Sequence, residues 1–356
     1  MIRTQAQLSE LCLRLEPPDQ AFAREAQRRL DQKTKPLGSL GRLERLVCQI
    51  AAVQRRMPLP PQKAIVIMGA DHGVTEEGVS AYPAEVTNQM LLNFARGGAA
   101  INVLARQVGA KLLVVDMGTR APLASTPEIL SRRLGSGTCN MTKGPAMTLE
   151  QGLAGVQTGL SLAADLAAQG ITLVGVGEMG IGNSTAASAL TAGLLKLPVE
   201  SVVGRGTGID DEGLARKRRA VTSALEVNHV VTERPFGALC AVGGFELAGL
   251  VGVILGAACH RIPVVLDGFI ASTAALVAAK LAPNISGYLI AGHQSVEPGH
   301  AHLLPALGLE PLLRLDMRLG EGTGAALAFG IIESALRVLA EMATFEQAGV
   351  SSVHGG

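Results

Sequence analysis

Six times along this chain a short apolar run breaks off in glycine or a carboxylate. Residues 64–70 lead into Asp71-His72-Gly73, 111–115 into Asp116-Met117-Gly118, and 171–174 into Gly175-Val176-Gly177-Glu178. Residues 201–203 lead into Gly204-Arg205-Gly206-Thr207-Gly208, 263–266 into Asp267-Gly268, and 288–290 into Ala291-Gly292-His293. Helix-like segments lie between them, at 85–95, 99–108, 149–168, 184–195, 212–225 and 246–259. Short apolar strands that alternate with helices belong to a parallel sheet covered on both faces. The pattern predicts an α/β fold: a Rossmann-like, mostly parallel six-stranded sheet over residues 63–295, with helices on both faces. Residues 1–62 and 296–356 read as helical and are expected to meet in a smaller helical domain. Pro58, Pro60 and Pro61 form the linker into the large domain. The tail from Ser351 is small and polar and reads as frayed.

Open parallel sheets bind ligands beyond the carboxyl ends of their strands. The glycines and polar residues gather at those ends, so the site is expected there. The composition narrows what it binds. Aromatic residues are 3% of the chain, with no Trp, which argues against stacking platforms for single-stranded nucleic acid. A net charge of +1 supplies no basic field for nucleic acid or membrane. No apolar run reads as long and clean enough to span a bilayer, and 247–258 reads as a buried core helix. Cys12, Cys48, Cys139, Cys240 and Cys259 form no CxxC pair and are odd in number. They read as reduced, buried thiols of a cytoplasmic protein.

The sharpest candidate is Glu321, set between Gly320 and Gly322 ahead of a long apolar helix pattern, 325–342. Apolar surroundings would raise its pKa, which suits a general base. A glutamate at a helix start would also complement the helix dipole, so both roles stand open. Residues 175–180 spell GxGxxG after a strand. A dinucleotide site expects an acidic residue at the end of the next strand, yet the next run ends in Gly204-Arg205-Gly206. Glu178 inside the loop would also repel a pyrophosphate, so the reading goes against NAD. Gly182-Asn183-Ser184-Thr185 opens a helix as a cradle for one phosphate, or as an ordinary cap. Of the basic run Arg216-Lys217-Arg218-Arg219, most reads as a solvated face, with one member able to reach a phosphate. Asp71-His72 looks like half of a metal or acid–base pair, and His300 and His302 point to different faces of a helix. No spacing matches a metal-ligand set, so neither metal nor cofactor is expected. Lys35 to Gly41 reads as a proline–glycine turn, with Ser39 capping the helix that follows.

Six segments occur in a fixed order: Lys-Pro-Leu-Gly-Ser-Leu-Gly-Arg-Leu-Glu (35–44), Ala-Asp-His-Gly-Val (70–74), Gly-Val-Gly-Glu-Met-Gly-Ile-Gly-Asn-Ser-Thr (175–185), Val-Gly-Gly-Phe-Glu (242–246), Leu-Asp-Gly-Phe (266–269) and Arg-Leu-Gly-Glu-Gly-Thr-Gly-Ala (318–325). Together they resemble the nicotinate-nucleotide–dimethylbenzimidazole phosphoribosyltransferase family, from about residue 30 to 345. The resemblance implies a homodimer with a Rossmann-like large domain and a smaller helical one. It implies transfer of the phosphoribosyl group from nicotinate mononucleotide to a benzimidazole nitrogen, making α-ribazole phosphate for the lower nucleotide loop of cobalamin. By the same resemblance Glu321 is the catalytic base and Glu178 the second active-site glutamate. Gly180, Asn183, Lys217 and Ser295 match the phosphate site, and Leu319 the benzimidazole pocket. Tyr82 and Met90 stand where some relatives carry a small polar residue and a glutamine, which leaves the acceptor open. Adenine or a phenolic acceptor is the alternative substrate; a non-catalytic nicotinate mononucleotide sensor is the alternative function.

Overall fold

The computed structural model describes residues 2–123 and 126–351, so most of the tail read as frayed lies outside the described residues. Its sheet has six strands: β1 (Lys63–Ala70), β2 (Lys111–Gly118), β3 (Ile129–Ser131), β4 (Leu173–Met179), β5 (Val264–Leu266) and β6 (Leu289–Ala291). Every pairing is parallel, in the order β3-β2-β1-β4-β5-β6. That is a doubly wound order, with its switch point between β1 and β4. The expected number of strands is right, but one of them differs. Residues 201–203 are not a strand: Val199–Val202 is a single helical turn behind Pro198. A strand outside the predicted set, Ile129–Ser131, pairs with β2 at the sheet's edge.

β1 is buried along its whole length, because a central parallel strand is covered on both faces. Its residues alternate between two cores. Ala64, Val66, Met68 and Ala70 face one core, Ile65 and Ile67 the other. The first is covered by the helices Leu149–Ala168 and Phe245–Cys259. These two meet on glycine: a Cβ at Gly159 would stand 2.1 Å from the Gly249 carbonyl oxygen. The other face carries Gln20–Asp31, Arg42–Gln54, Ala100–Gln107 and Thr323–Glu341. By length and composition Thr323–Glu341 is long and apolar enough to cross a bilayer, which corrects the expectation that no run is. It lies instead against the sheet, burying Ala325, Ala328, Phe329, Ile332 and Leu336.

The two chain ends pack together. Lys33 pairs with Thr344 in an isolated antiparallel bridge. The Arg42 guanidinium donates to the carbonyls of Pro311 (2.6 Å) and Glu310 (2.8 Å). The turn at 35–41 is held by a buried ion pair, Lys35 Nζ to Glu44 Oε1 at 2.8 Å, and Glu44 also accepts from the Leu40 amide. The helix after it starts from Gly41 with no side-chain cap, so Ser39 does not cap it. The cysteines need a correction too. Cys12 and Cys240 are buried, their thiols pushed up by burial to about 11 and about 12. Cys48 is half-buried, and Cys139 and Cys259 are exposed.

Candidate active site

Gly320, Glu321 and Gly322 are all left-handed, with φ of 81°, 63° and 83°. Glycine takes that conformation freely; for glutamate it costs about 1 kcal/mol. The turn is held from both sides. Asp267, directly after β5, accepts from the Gly322 amide at 2.8 Å and the Gly324 amide at 2.7 Å. Against β4 it lies flush: a Cβ at Gly177 would stand 2.3 Å from the Gly322 nitrogen. One at Gly320 would stand 2.6 Å from Glu178 Oε1. Strand and turn thus bring Glu178 and Glu321 to one spot, beyond the carboxyl ends of β4 and β5.

Both carboxyls are buried, Glu178 to 6% exposure and Glu321 to 7%. Burial first, then the charge of Asp267, pushes Glu321 up to about 7. Glu178 is pushed well above the carboxylate range by burial, then by Asp267 and Glu246. Its hydrogen bond from Asn183 pulls the other way, and Glu321 adds a further push upward. Both shifts favour the protonated carboxyl, and Glu321, at about 7, is poised to exchange a proton near neutral pH.

The amide-rich end adjoins them. The helix Asn183–Leu195 begins after Gly182 with no side-chain cap, so the cap reading of Asn183 and Ser184 does not hold. Asn183 Nδ2 instead donates to Glu178 Oε2. Ser184 Oγ accepts from Lys217 Nζ at 2.9 Å, and Lys217 also donates to the Gly204 carbonyl at 3.1 Å. Lys217 is fully buried, so of the basic run it is the one that points inward. Burial pulls it down to about 8, with Glu297 opposing. The 204–208 loop touches both residues: a Cβ at Gly206 would stand 2.8 Å from Ser184 Oγ and 3.0 Å from Lys217 Nζ. Ser295 is buried beside Gly268 and donates its amide to His300 Nδ1 at 2.8 Å. Arg216 is tied to the Gly78 carbonyl, while Arg218 lines a neighbouring cleft of about 400 Å³ with Arg205, Glu297 and Arg318.

Glu321, Glu178, Gly180, Asn183, Lys217 and Ser295 thus share one end of the sheet. The other three are peripheral. Tyr82 and Leu319 are each 55% exposed. Tyr82 sits in a loop tied to Thr207 through the Ala81 amide, at 3.1 Å. Met90 is half-buried on the helix Val86–Ala95, whose Thr87 hydroxyl accepts from the Ile181 amide at 3.1 Å. Two features escaped sequence reasoning. Asp267 stood in the series of strand-end carboxylates without being singled out. His72, read as half of a pair, finds its partner in Glu246: Nε2 lies 2.8 Å from Oε1, both side chains buried.

A family model described as Phosphoribosyltransferase matches residues 15–350. The chain belongs to this family. Within the phosphoribosyltransferase family it is similar to the nicotinate-nucleotide–dimethylbenzimidazole phosphoribosyltransferase of Geobacter sulfurreducens, 50% identical over 345 residues, 97% of each chain. The enzyme of that name from Chloroflexus aggregans is 53% identical over 336 residues, 94% of this chain and 95% of the relative. The crystal structure of the Thermus thermophilus enzyme of that name superposes with a TM-score of 0.88 at 48% identity. That match covers 94% of this chain and 99% of the other.

Proposed function

We propose that this phosphoribosyltransferase moves the phosphoribosyl group of nicotinate mononucleotide onto a ring nitrogen of dimethylbenzimidazole, giving α-ribazole phosphate and nicotinate for the lower nucleotide loop of cobalamin. One observation carries the mechanism: the buried Glu321 carboxyl on a left-handed turn beside an amide-and-lysine cradle, where burial pushes its pKa up to about 7. The leaving nicotinate departs as a neutral ring nitrogen, taking the electron pair of the broken C1′–N bond, and needs no acid. The benzimidazole forms the new C1′–N bond through one nitrogen and sheds a proton from the other. Glu321 takes that proton. Attack on the face opposite the leaving ring inverts a β-linked ribose to an α-linked one in a single displacement. Lys217 and the loop from Gly180 to Asn183 grip the phosphate, and Ser295 adjoins them. That remote binding holds the two rings in line. In this reading Glu178 offsets the positive charge that develops on the ribose.

Leu319, Tyr82 and Met90 border the acceptor side in this reading. Tyr82 and Met90 replace a small polar residue and a glutamine of some relatives, which keeps adenine or a phenolic acceptor as a second reading. A sensor that binds nicotinate mononucleotide without turnover leaves the raised carboxyl of Glu321 without a task. We further propose a homodimer in the cytoplasm, with 1–62 and 296–356 forming one small unit against 63–295. The test offers dimethylbenzimidazole, adenine and a phenol in competition with nicotinate mononucleotide present. Release of nicotinate with α-ribazole phosphate as the main product is expected. No nicotinate release with any base would overturn the enzymatic reading; another nucleoside product would replace the acceptor.

A further inference from the structure

We propose that Asp267 is the positioning residue of the proton-transfer step, holding the Glu321 carboxyl in place through the amides on its far side. This rests on Glu321 being the base. Asp267 is 1% exposed and stands directly after β5. Its two oxygens are both committed, Oδ2 to the Gly322 amide at 2.8 Å and Oδ1 to the Gly324 amide at 2.7 Å. Those amides open the helix Thr323–Glu341, where the first turn has no intrahelical acceptor to offer. A bidentate carboxylate there satisfies them and fixes the residue just before them. Glu321 needs such a brace. It is flanked by two glycines that have no steric preference for one backbone conformation, and it is itself held at a positive φ that glutamate disfavours. Without an outside acceptor, the turn has freedom to swing its carboxyl away from the incoming base.

The same contact gives Asp267 a second influence. Its negative charge lies close enough to push both Glu321 and Glu178 upward. Other charged groups face this spot as well. Glu178 comes from β4 with Glu246 behind it, and Arg318 precedes the turn, its guanidinium on the Gly206 carbonyl. His293, after β6, places Nε2 3.4 Å from Asp267 Oδ1. All of these remain when Asp267 alone is changed. Both Asp267 oxygens are taken by backbone amides of the turn, so it acts through Glu321.

The experiment compares wild type, Asp267→Asn, Asp267→Ser and Glu321→Gln, with nicotinate mononucleotide and dimethylbenzimidazole as substrates across pH 5 to 9. For Asp267→Asn, kcat is expected to fall roughly 10- to 100-fold, as misplacing a catalytic group does. KM for nicotinate mononucleotide should hold within about threefold, since the phosphate cradle is untouched. The acidic limb of the pH profile should move down by about one pH unit, because a like charge beside the base is gone. A loss of turnover with the limb unmoved would mark a merely structural residue and overturn the inference. So would failure of both Asp267 variants to fold, or fast hydrogen exchange at the Gly322 and Gly324 amides of the wild type. Glu321→Gln separates the two ideas. If it keeps turnover, the base assignment falls; if it loses turnover while Asp267→Asn retains wild-type kcat and profile, only the positioning role falls.

Discussion

Glu321→Gln keeps the size and hydrogen-bonding shape of the side chain and removes its charge. The carboxyl is pushed from 4.5 to about 7, by burial and then by Asp267. A carboxyl that holds its proton more tightly folded than unfolded contributes stability that is complete below the unfolded value. That contribution is lost as pH rises through the folded value. The interval between the two values corresponds to about 3 kcal/mol, at ~1.4 kcal/mol per tenfold change in affinity. The glutamine variant has no such proton to lose. Its stability relative to wild type should therefore rise between pH 4.5 and pH 8, by up to about 3 kcal/mol. The change has the same sign at Glu178, whose proton the Glu321 charge helps to hold. Urea unfolding of both proteins at pH 5, 6, 7 and 8 reads the difference directly. Turnover should fall by roughly 10²- to 10⁴-fold, the usual worth of a general base. A stability difference that is flat with pH would refute the buried-carboxyl argument. Near-wild-type turnover would refute the role in proton transfer.

Lys217→Ala should raise KM for nicotinate mononucleotide more than tenfold and lower kcat by less, because the phosphate binding that helps hold the rings in line is weakened; an unchanged KM rejects its phosphate role. In the wild type, kcat/KM should decline as pH passes about 8, where the buried ammonium gives up its proton, and this limb should vanish in Lys217→Ala pH profiles. Gly177→Ala would place a methyl 2.3 Å from the Gly322 nitrogen, so urea unfolding should show a loss of roughly 2 kcal/mol from overpacking, and kinetics should show kcat falling further than binding. Incubation with a zinc chelator should leave turnover intact; a loss that added metal restores would overturn the metal-free mechanism.

The large pattern was legible because it rests on local chemistry. β1, β2 and β4 are long enough for apolar runs to stand out, and their ends carry the glycines and carboxylates that a parallel sheet turns toward ligand. The error at 201–203 and the omission at 129–131 share a cause. A three- or four-residue apolar run carries no period, so nothing local separates a helical turn from a short strand. Val199–Val202 follows Pro198, whose fixed φ suits a helix start. Ile129–Ser131 is only partly buried and owes its strand state to β2, a neighbour that only the fold supplies. Glu246 was hidden for the same reason: its partner His72 lies far away in sequence, and its own position in a helix's first turn already has an ordinary explanation.

The glycines of 175–180 show how a motif can be right in place and wrong in meaning. In a dinucleotide site the second glycine admits a pyrophosphate to the backbone. Here Gly177 admits the backbone of another turn, the one that carries Glu321. Either way a strand end lacks a Cβ because something must lie against it. The departure is Glu178. A charge there would oppose a pyrophosphate; burial, then Asp267 and Glu246, push its pKa well up, which favours the protonated form, and the side chain lies against Gly320. Both carboxyls are pushed up, Glu321 to about 7, and one base near neutrality is what a reaction with one proton to remove and none to donate calls for. The sequence holds both glutamates and both glycines. What it lacks is the register that puts Glu178 opposite Met68, and with it the contact between β4 and the turn that makes the pair.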